Sequence, residues 1–496
     1  MKLRTKLLLL FTLLLSLAFA AISASAVLND TVKVGLYYGS NLLTDANAEY
    51  DDTTAGRFAF GYFSVGRAFQ KLGTIDGETF LTVSSDRNKV LSAARSSEDG
   101  YTVYSRTGSR TLTGELPSFS DTAVGVLNRG GELLLVFDYD GMYHFALKAE
   151  GSKSDLPETW FKGKKYYGAF EYQRRIGGAI SVLNYLPLDD YLRCVVPYEM
   201  SDGWPREALK AQAVCARTYV SHANGRHSGF DVCASSDCQT YNGVPSAKHV
   251  NTDAAVRETS GECIYYEGEP IDAVYFACDG GATESAKNVW GSNVPYLTGK
   301  ADPYEADISS LVKNYSYTVV YSADSLTARL KAKGYSIGMA ASVSVQKTEV
   351  GNVRAVTVTD TAGKRITLER EKCRSVFGAQ SQRFDFGQGT ETGSQGLFVN
   401  GSTPVYDTEQ LYLISGDGTV SRHSLSDGLS LMTNSGKQSI SAPTGSALHT
   451  DSDFTLTGTG NGHNVGMSQW GAYAMAKRGY DHISILKFYY TGVTVE

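Results

Sequence analysis

The stretch "WPREALKAQAVCARTYV", Trp204 to Val220, constrains this chain more than any other. Pro205 suits a first helical position, and Glu207 suits the positive end of a helix. Leu209, Ala213, Ala216 and Val220 recur at helical spacing on one face. Ala208, Cys215 and Tyr219 occupy another face, with Gln212 among them. Beyond Lys210 the only charge is Arg217. A helix apolar on most sides is buried on most sides. The rest of the fold must therefore wrap it, and Gln212 and Arg217 need internal partners.

The chain has 496 residues, enough for roughly three domains of about 150 residues. Before the helix the pattern is that of strands. "VKVGLYY", "FAFGYF" and "ETFLTV" predict a small β-rich lobe over residues 27–120. From about 125 the strands lengthen, as in "ELLLVFDYDG" and "AISVLNYLPL". After the helix come a loop with His and Cys, a helix around 250–259, and a hairpin in "ECIYYEGEPIDAVYFA" turning at Glu267-Gly268. Residues 315–386 mix strand and helix. Residues 387–452 are Gly/Ser/Thr-rich with short strands, the composition of a surface insertion. The end, "GNGHNVGMSQWGAYAMAKRGYDHISILKFYYTG", is a glycine loop, a helix stopped near Gly479, and a second short helix. The expected class is α+β: a mixed sheet-and-helix catalytic domain over 121–386 and 453–496, the insertion between them, and the β-rich lobe ahead.

The first 26 residues carry Lys2, Arg4 and Lys6, an apolar run from Leu7 to Ile22, and the small-residue pattern Ala24-Ser25-Ala26. This reads as a secretory signal peptide. An uncleaved membrane anchor is the alternative, because the run is nearly long enough to span a bilayer. No later stretch is. Removal of the three cations would take the formal net charge from −6 to −9. So acidic a protein gains no counterion release on nucleic acid, which excludes nucleic acid as an expected partner. Seven cysteines (Cys194, Cys215, Cys233, Cys238, Cys263, Cys278 and Cys373) leave at least one thiol unpaired, so they are not a disulfide framework.

Four stretches carry candidate chemistry. In "VVPYEM" Glu199 stands among apolar or weakly polar neighbours. On a groove floor, desolvation would raise its pKa, as a general acid requires. The plainer reading is a loop carboxylate that accepts backbone N–H groups near the helix start. In "HSGFDVCASSDCQTY", His227, Cys233 and Cys238 follow H-x5-C-x4-C, with His222 five residues earlier. That set suits tetrahedral zinc, and a Cys233–Cys238 disulfide is the alternative. In "FACDGGATESAKNVWGSNVPYL", Gly280-Gly281 permits close backbone approach, and Trp290 and Tyr296 would either stack on sugar rings or pack the core. In "GTGNGHNVGMSQWG", the glycines match neither a dinucleotide fingerprint nor a phosphate loop, and Ser468 is not in a nucleophile elbow. His463 and Gln469 would line a cleft or satisfy backbone.

Taken together, "DDYLRCVVPYEMSDGWPREALKAQAVCARTYV", "DCQTYNG", "FACDGGATESAKNVWGSNVPYL" and "GHNVGMSQWGAYAMAKRGYDHISILKFYYTG" resemble the stage II sporulation protein D / LytB family. The resemblance runs from about 170 to the end, apart from 387–452. It implies a glycan-binding groove and an exported, cell-envelope protein. It implies a lytic transglycosylase that cleaves peptidoglycan glycan strands, usually ones stripped of stem peptides by a partner amidase. Other members are described as amidase enhancers. The family's catalytic glutamate corresponds to Glu199, and the zinc ligands of some members correspond to His227, Cys233 and Cys238. A fourth ligand stays open between His222, water and a tyrosine. Gln212, Arg217, Gln239, Tyr241, Tyr296, His463, Ser468 and Gln469 are the expected substrate-binding residues. No second acid stands out as a partner for Glu199, and a non-hydrolytic cleavage needs none, unlike a hydrolytic glycosidase.

Overall fold

The computed structural model describes residues 30–388 and 453–496, apart from 51–54, 152–155, 176 and 223–225, together with the backbone of six short strands between 397 and 440. The signal peptide expected over 1–26 lies outside the described residues, as does most of the insertion expected over 387–452. Those six strands form three two-stranded pairs, Leu397–Val399 with Thr403–Val405, Leu411–Ile414 with Val420–His423, and Leu429–Thr433 with Gly436–Ile440. Among the described residues no helix is long and apolar enough to cross a membrane.

The fold is α+β and divides into two compact units. The first holds residues 30–277, 294–298 and 465–496; the second holds 278–293 and 299–464. In the first, a seven-stranded sheet runs Val232–Cys233, Thr31–Tyr37, Ile180–Pro187, Ala169–Arg174, Phe145–Glu150, Arg57–Phe63, Phe69–Asp76. An eight-stranded sheet runs Lys164–Tyr166, Thr159–Phe161, Asp45–Tyr50, Phe80–Ser84, Val124–Asn128, Leu133–Asp138, Tyr101–Ser105, Gly108–Leu112. Val34, Leu147, Phe170 and Val182 of one sheet share a core with Leu81, Val83, Val126 and Leu135 of the other. Both sheets contain strands from before and from after residue 120. The boundary expected there therefore falls inside a single unit.

The helix Arg206–His222 is buried along its length, from Ala208 to Val220 with only Lys210 less covered. Ala213, Ala216, Tyr219 and Val220 join the shared core. On its other sides lie Val250–Glu258, Gln469–Lys477 and His482–Tyr489. His482 ties the last of these down: Nδ1 meets Glu207 Oε2 at 2.9 Å and Nε2 meets Glu262 Oε2 at 2.8 Å. The expected hairpin forms over Ile264–Tyr266 and Glu269–Pro270, with Glu267 and Gly268 at φ 52° and 85°. Its second arm is shorter than the alternation suggested. Tyr275–Phe276 pairs instead in parallel with Met467–Ser468.

The second unit has a three-stranded sheet ordered Ser316–Tyr321, Phe454–Thr459, Phe384–Gln388, and a meander of Ala340–Lys347, Val353–Asp360 and Arg365–Glu369. Helices Ala323–Ala332 and Glu371–Phe377 supply Leu326, Leu330 and Phe377 to its core, against Val356, Val358 and Leu456.

Candidate active site

Glu199 ends the short helix Val196–Glu199, which has Pro197 in its first turn. Val195, Val196 and Met200 are sunk in the interior, and Tyr198 stays 43% exposed. The helix is thus pinned by its apolar side, and Glu199 is half-buried. The acceptor reading proves partly right: a backbone N–H does reach the carboxylate, but it belongs to Thr240 rather than to the long helix.

Two neutral side chains complete the grip. Gln469 Nε2 donates to Glu199 Oε2 at 3.2 Å, and the hydroxyl of Tyr275 donates to the same carboxylate. Burial pushes the Glu199 carboxyl above its ordinary value of 4.5; the bonds from Gln469, Tyr275 and Thr240 pull the other way without cancelling it. Each donor is itself placed. Tyr275 accepts from Gln239 Nε2 at 3.2 Å, and Gln239 Oε1 accepts from Tyr191 at 3.0 Å. Gln469 Nε2 also reaches Gln212 Oε1 at 3.4 Å. The fully buried Gln212 keeps its Nε2 without a protein partner.

The parallel pairing of Tyr275–Phe276 with Met467–Ser468 sets Tyr275 and Gln469 side by side. Ser468 caps the helix Gln469–Lys477, its Oγ accepting from Gly471 N at 3.1 Å. Gly466 makes the approach possible: its φ is +81°, and a Cβ there would lie 2.1 Å from Val274 O.

The other expected residues divide. Gln212, Gln239 and Gln469 join the network around Glu199. Ser468 is fully buried as a helix cap. Tyr241 is a core residue: it bonds Asn184 Oδ1 at 2.6 Å and stacks on Tyr191 at 5.1 Å. Arg217 is 1% exposed and is held by Asp189 at 2.9 Å and Val256 O at 3.1 Å. Tyr296 accepts from Asp272 N at 3.0 Å. His463 lies in the second unit, its ring 5.1 Å from that of Trp290. Tyr275 and Thr240 were not anticipated. Trp204, Trp470 and Tyr473 were also missed as a cluster; their rings meet at 4.5–5.3 Å beside the segments that carry Glu199 and Gln469.

A second constellation sits in the loop before Gln239. Ligating atoms of His227, Cys233, Asp237 and Cys238 all lie within 4.8 Å of one another, with His227 Nε2 3.1 Å from Cys238 Sγ. Both thiols are free. Two sulfurs and an imidazole nitrogen fit a tetrahedral zinc ion, with Zn–S near 2.3 Å. For the open fourth position, Asp237 stands in the group, and the Tyr38 hydroxyl bonds Cys233. His222 is not among the clustered ligands; its Nδ1 lies 2.9 Å from Pro270 O.

Fold and site together define an α+β protein with one desolvated carboxyl held by uncharged donors. The stage II sporulation protein family profile matches residues 177–266. A stretch of 308 residues is 32% identical to the amidase enhancer of Bacillus subtilis, covering 61% of this chain but 40% of that protein. An uncharacterized protein of Brachyspira hyodysenteriae is 30% identical over 67% of this chain and 73% of its own length. Stage II sporulation protein D of Bacillus subtilis is 25% identical over 62% of this chain and 74% of its own. The chain belongs to the stage II sporulation protein D / LytB family.

Proposed function

We propose that this protein is an exported, cell-envelope lytic transglycosylase that cuts the bond between N-acetylmuramic acid and N-acetylglucosamine in peptide-stripped peptidoglycan strands. One observation carries the reading: Glu199 is desolvated yet gripped by neutral donors, so it can both hold and release a proton. Protonated Glu199 gives its proton to the glycosidic oxygen as that bond breaks and positive charge develops at the muramic C1. The resulting carboxylate, steadied by Gln469, Tyr275 and Thr240 N–H, takes the proton from the sugar's own 6-hydroxyl. That oxygen closes on C1 to give a 1,6-anhydro end. The nucleophile is tethered, so little ordering is needed and water takes no part.

Zinc, held by His227, Cys233, Cys238 and Asp237 or Tyr38, would act as a clamp. Cys238 directly precedes Gln239 and Thr240, so fixing the loop fixes two members of the Glu199 network. Mass spectrometry of digested denuded strands tests the reading. Wild-type protein should yield anhydro-muramyl ends and Glu199→Gln should not; equal yields from both would overturn it.

A second reading is favoured by the similarity to an amidase enhancer. Here the groove binds glycan and stimulates a partner cell-wall amidase without cutting. The amidase rate in the presence of Glu199→Gln separates the two, because stimulation alone would survive that change.

A further inference from the structure

Three carboxylates meet in the interior of the second unit. Asp279 is fully buried, Asp302 is 3% exposed, and Glu305 is fully buried. One carboxylate oxygen from each lies within 4.8 Å of the others. Part of this charge is met locally. Glu305 Oε1 accepts from Asp279 N, and Oε2 accepts from Gly280 N, both at 2.9 Å. The Cys278 thiol donates to Oε2 at 3.1 Å. Asp279 Oδ1 accepts from Gly281 N at 2.7 Å, and Asp302 Oδ1 from Tyr304 N at 2.8 Å.

Asp279 Oδ2 is different. It is buried and has no hydrogen-bond partner, while its neighbour is the carboxylate of Asp302. Ionised carboxylates are acceptors only, so Asp302 offers Asp279 no donor unless one of the two holds a proton. Desolvated charge of this kind persists only when something positive sits in it. A proton shared by Asp279 and Asp302 would satisfy two of the three groups. An ion satisfies all three, and a carboxylate oxygen already bound to an N–H keeps a lone pair for it.

We propose that Asp279, Asp302 and Glu305 bind a calcium ion. The donors are hard oxygens, which select the calcium and magnesium class over zinc. Oxygens bound to one calcium at 2.3–2.6 Å lie at most about 5 Å apart, and this set lies within that limit. The ligands sit on irregular backbone, which suits the adaptable coordination of calcium better than the strict octahedron of magnesium. Asp279 lies near the start of the unit's first chain segment, and Asp302 and Glu305 near the start of its second. The ion would therefore fasten these two segments together.

The test uses the full chain, stripped with EGTA and then resupplied with zinc in every arm. Metal analysis after dialysis against calcium should give about one calcium per chain. Added calcium should raise the thermal midpoint by several degrees, and magnesium should do so less. Asp279→Asn should remove both the bound calcium and the calcium-dependent shift; Asp302→Asn is the second variant should the first fold poorly. No retained calcium with an unmoved midpoint would overturn the proposal. So would an Asp279→Asn protein that still retains one calcium per chain and the full calcium-dependent shift. Neither result depends on glycan cleavage.

Discussion

Gln469 Nε2 lies 3.2 Å from Glu199 Oε2, a contact between residues 270 positions apart. It favours the ionised carboxylate, as does the bond from Tyr275. Removing either donor should raise the Glu199 pKa further. A hydrogen bond to a charged group is worth about 1.5–3 kcal/mol, or about one to two pH units. For Gln469→Ala and Tyr275→Phe, the alkaline limb of the kcat/KM profile should move upward, and kcat should fall about 10–100-fold as the carboxylate loses support. Rates on denuded strands across pH would show it; a lower rate with an unmoved limb would contradict it.

Burial of Glu199 has a stability consequence with a definite sign. The folded chain keeps the proton above the ordinary value of 4.5, where the unfolded chain has released it. Through that window stability falls as pH rises, and above the folded pKa the whole penalty is present. Each pH unit of separation is worth about 1.4 kcal/mol. Glu199→Gln keeps the shape and removes the charge. It should melt above wild type at pH 7, and the two proteins should converge below pH 4. Thermal scans at both pH values measure this.

Gly466→Ala should be more harmful than its size suggests. The added Cβ would meet Val274 O at 2.1 Å, at a φ of +81° that L-residues rarely adopt. The strand Met467–Ser468 would shift against Tyr275–Phe276, moving Gln469 from Glu199. Activity should fall more than 10-fold, with about 1–3 kcal/mol of stability lost to the strain. Denaturant titration and the strand digest, run together, read both.

How much of this was legible in the sequence depends on how local each feature is. The long helix declared itself through its own periodicity; the apolar neighbours of Glu199 left the plain acceptor reading standing, and only the family resemblance singled it out as the candidate acid. Tyr275 did not declare itself, because its place is set by pairing with Met467, far along the chain, and the local alternation assigned it to a hairpin. Tyr241 was expected in the groove because "DCQTYNG" matches a family motif. Gln239 and Tyr241 both face Tyr191, as residues two apart in an extended segment do: Gln239 accepts from its hydroxyl while the Tyr241 ring packs on its ring in the core. The boundary near 120 was invisible for the same reason as Tyr275: strand partners there come from both sides of it.

Arg217 gives a prediction of the opposite kind, a large effect on the fold with no specific effect on sugar recognition. Its side chain is 1% exposed and pairs with Asp189, which is 39% exposed. Breaking a buried pair costs about 3–5 kcal/mol, and solvent at Asp189 places Arg217→Ala near the low end. Urea unfolding should show a loss of about 3 kcal/mol. KM of the remaining folded protein should be unchanged; a selective rise in KM would instead place Arg217 in the groove.

The zinc reading makes a paired prediction. Purified full-length protein should hold about one zinc at the His227, Cys233 and Cys238 set, and Cys233→Ser should lose it. A Cys233–Cys238 disulfide found by peptide mapping would exclude the site. Cys238 adjoins Gln239, and Gln239 orients Tyr275, so metal loss should reach Glu199 only through this chain of contacts. Cys233→Ser should therefore reduce kcat partially, and restoring zinc to chelated wild type should restore it. An ion acting directly on the glycosidic oxygen would behave otherwise. Its removal would reduce cleavage as completely as Glu199→Gln, and comparing the two variants on the same denuded strands decides between a clamp and a catalyst.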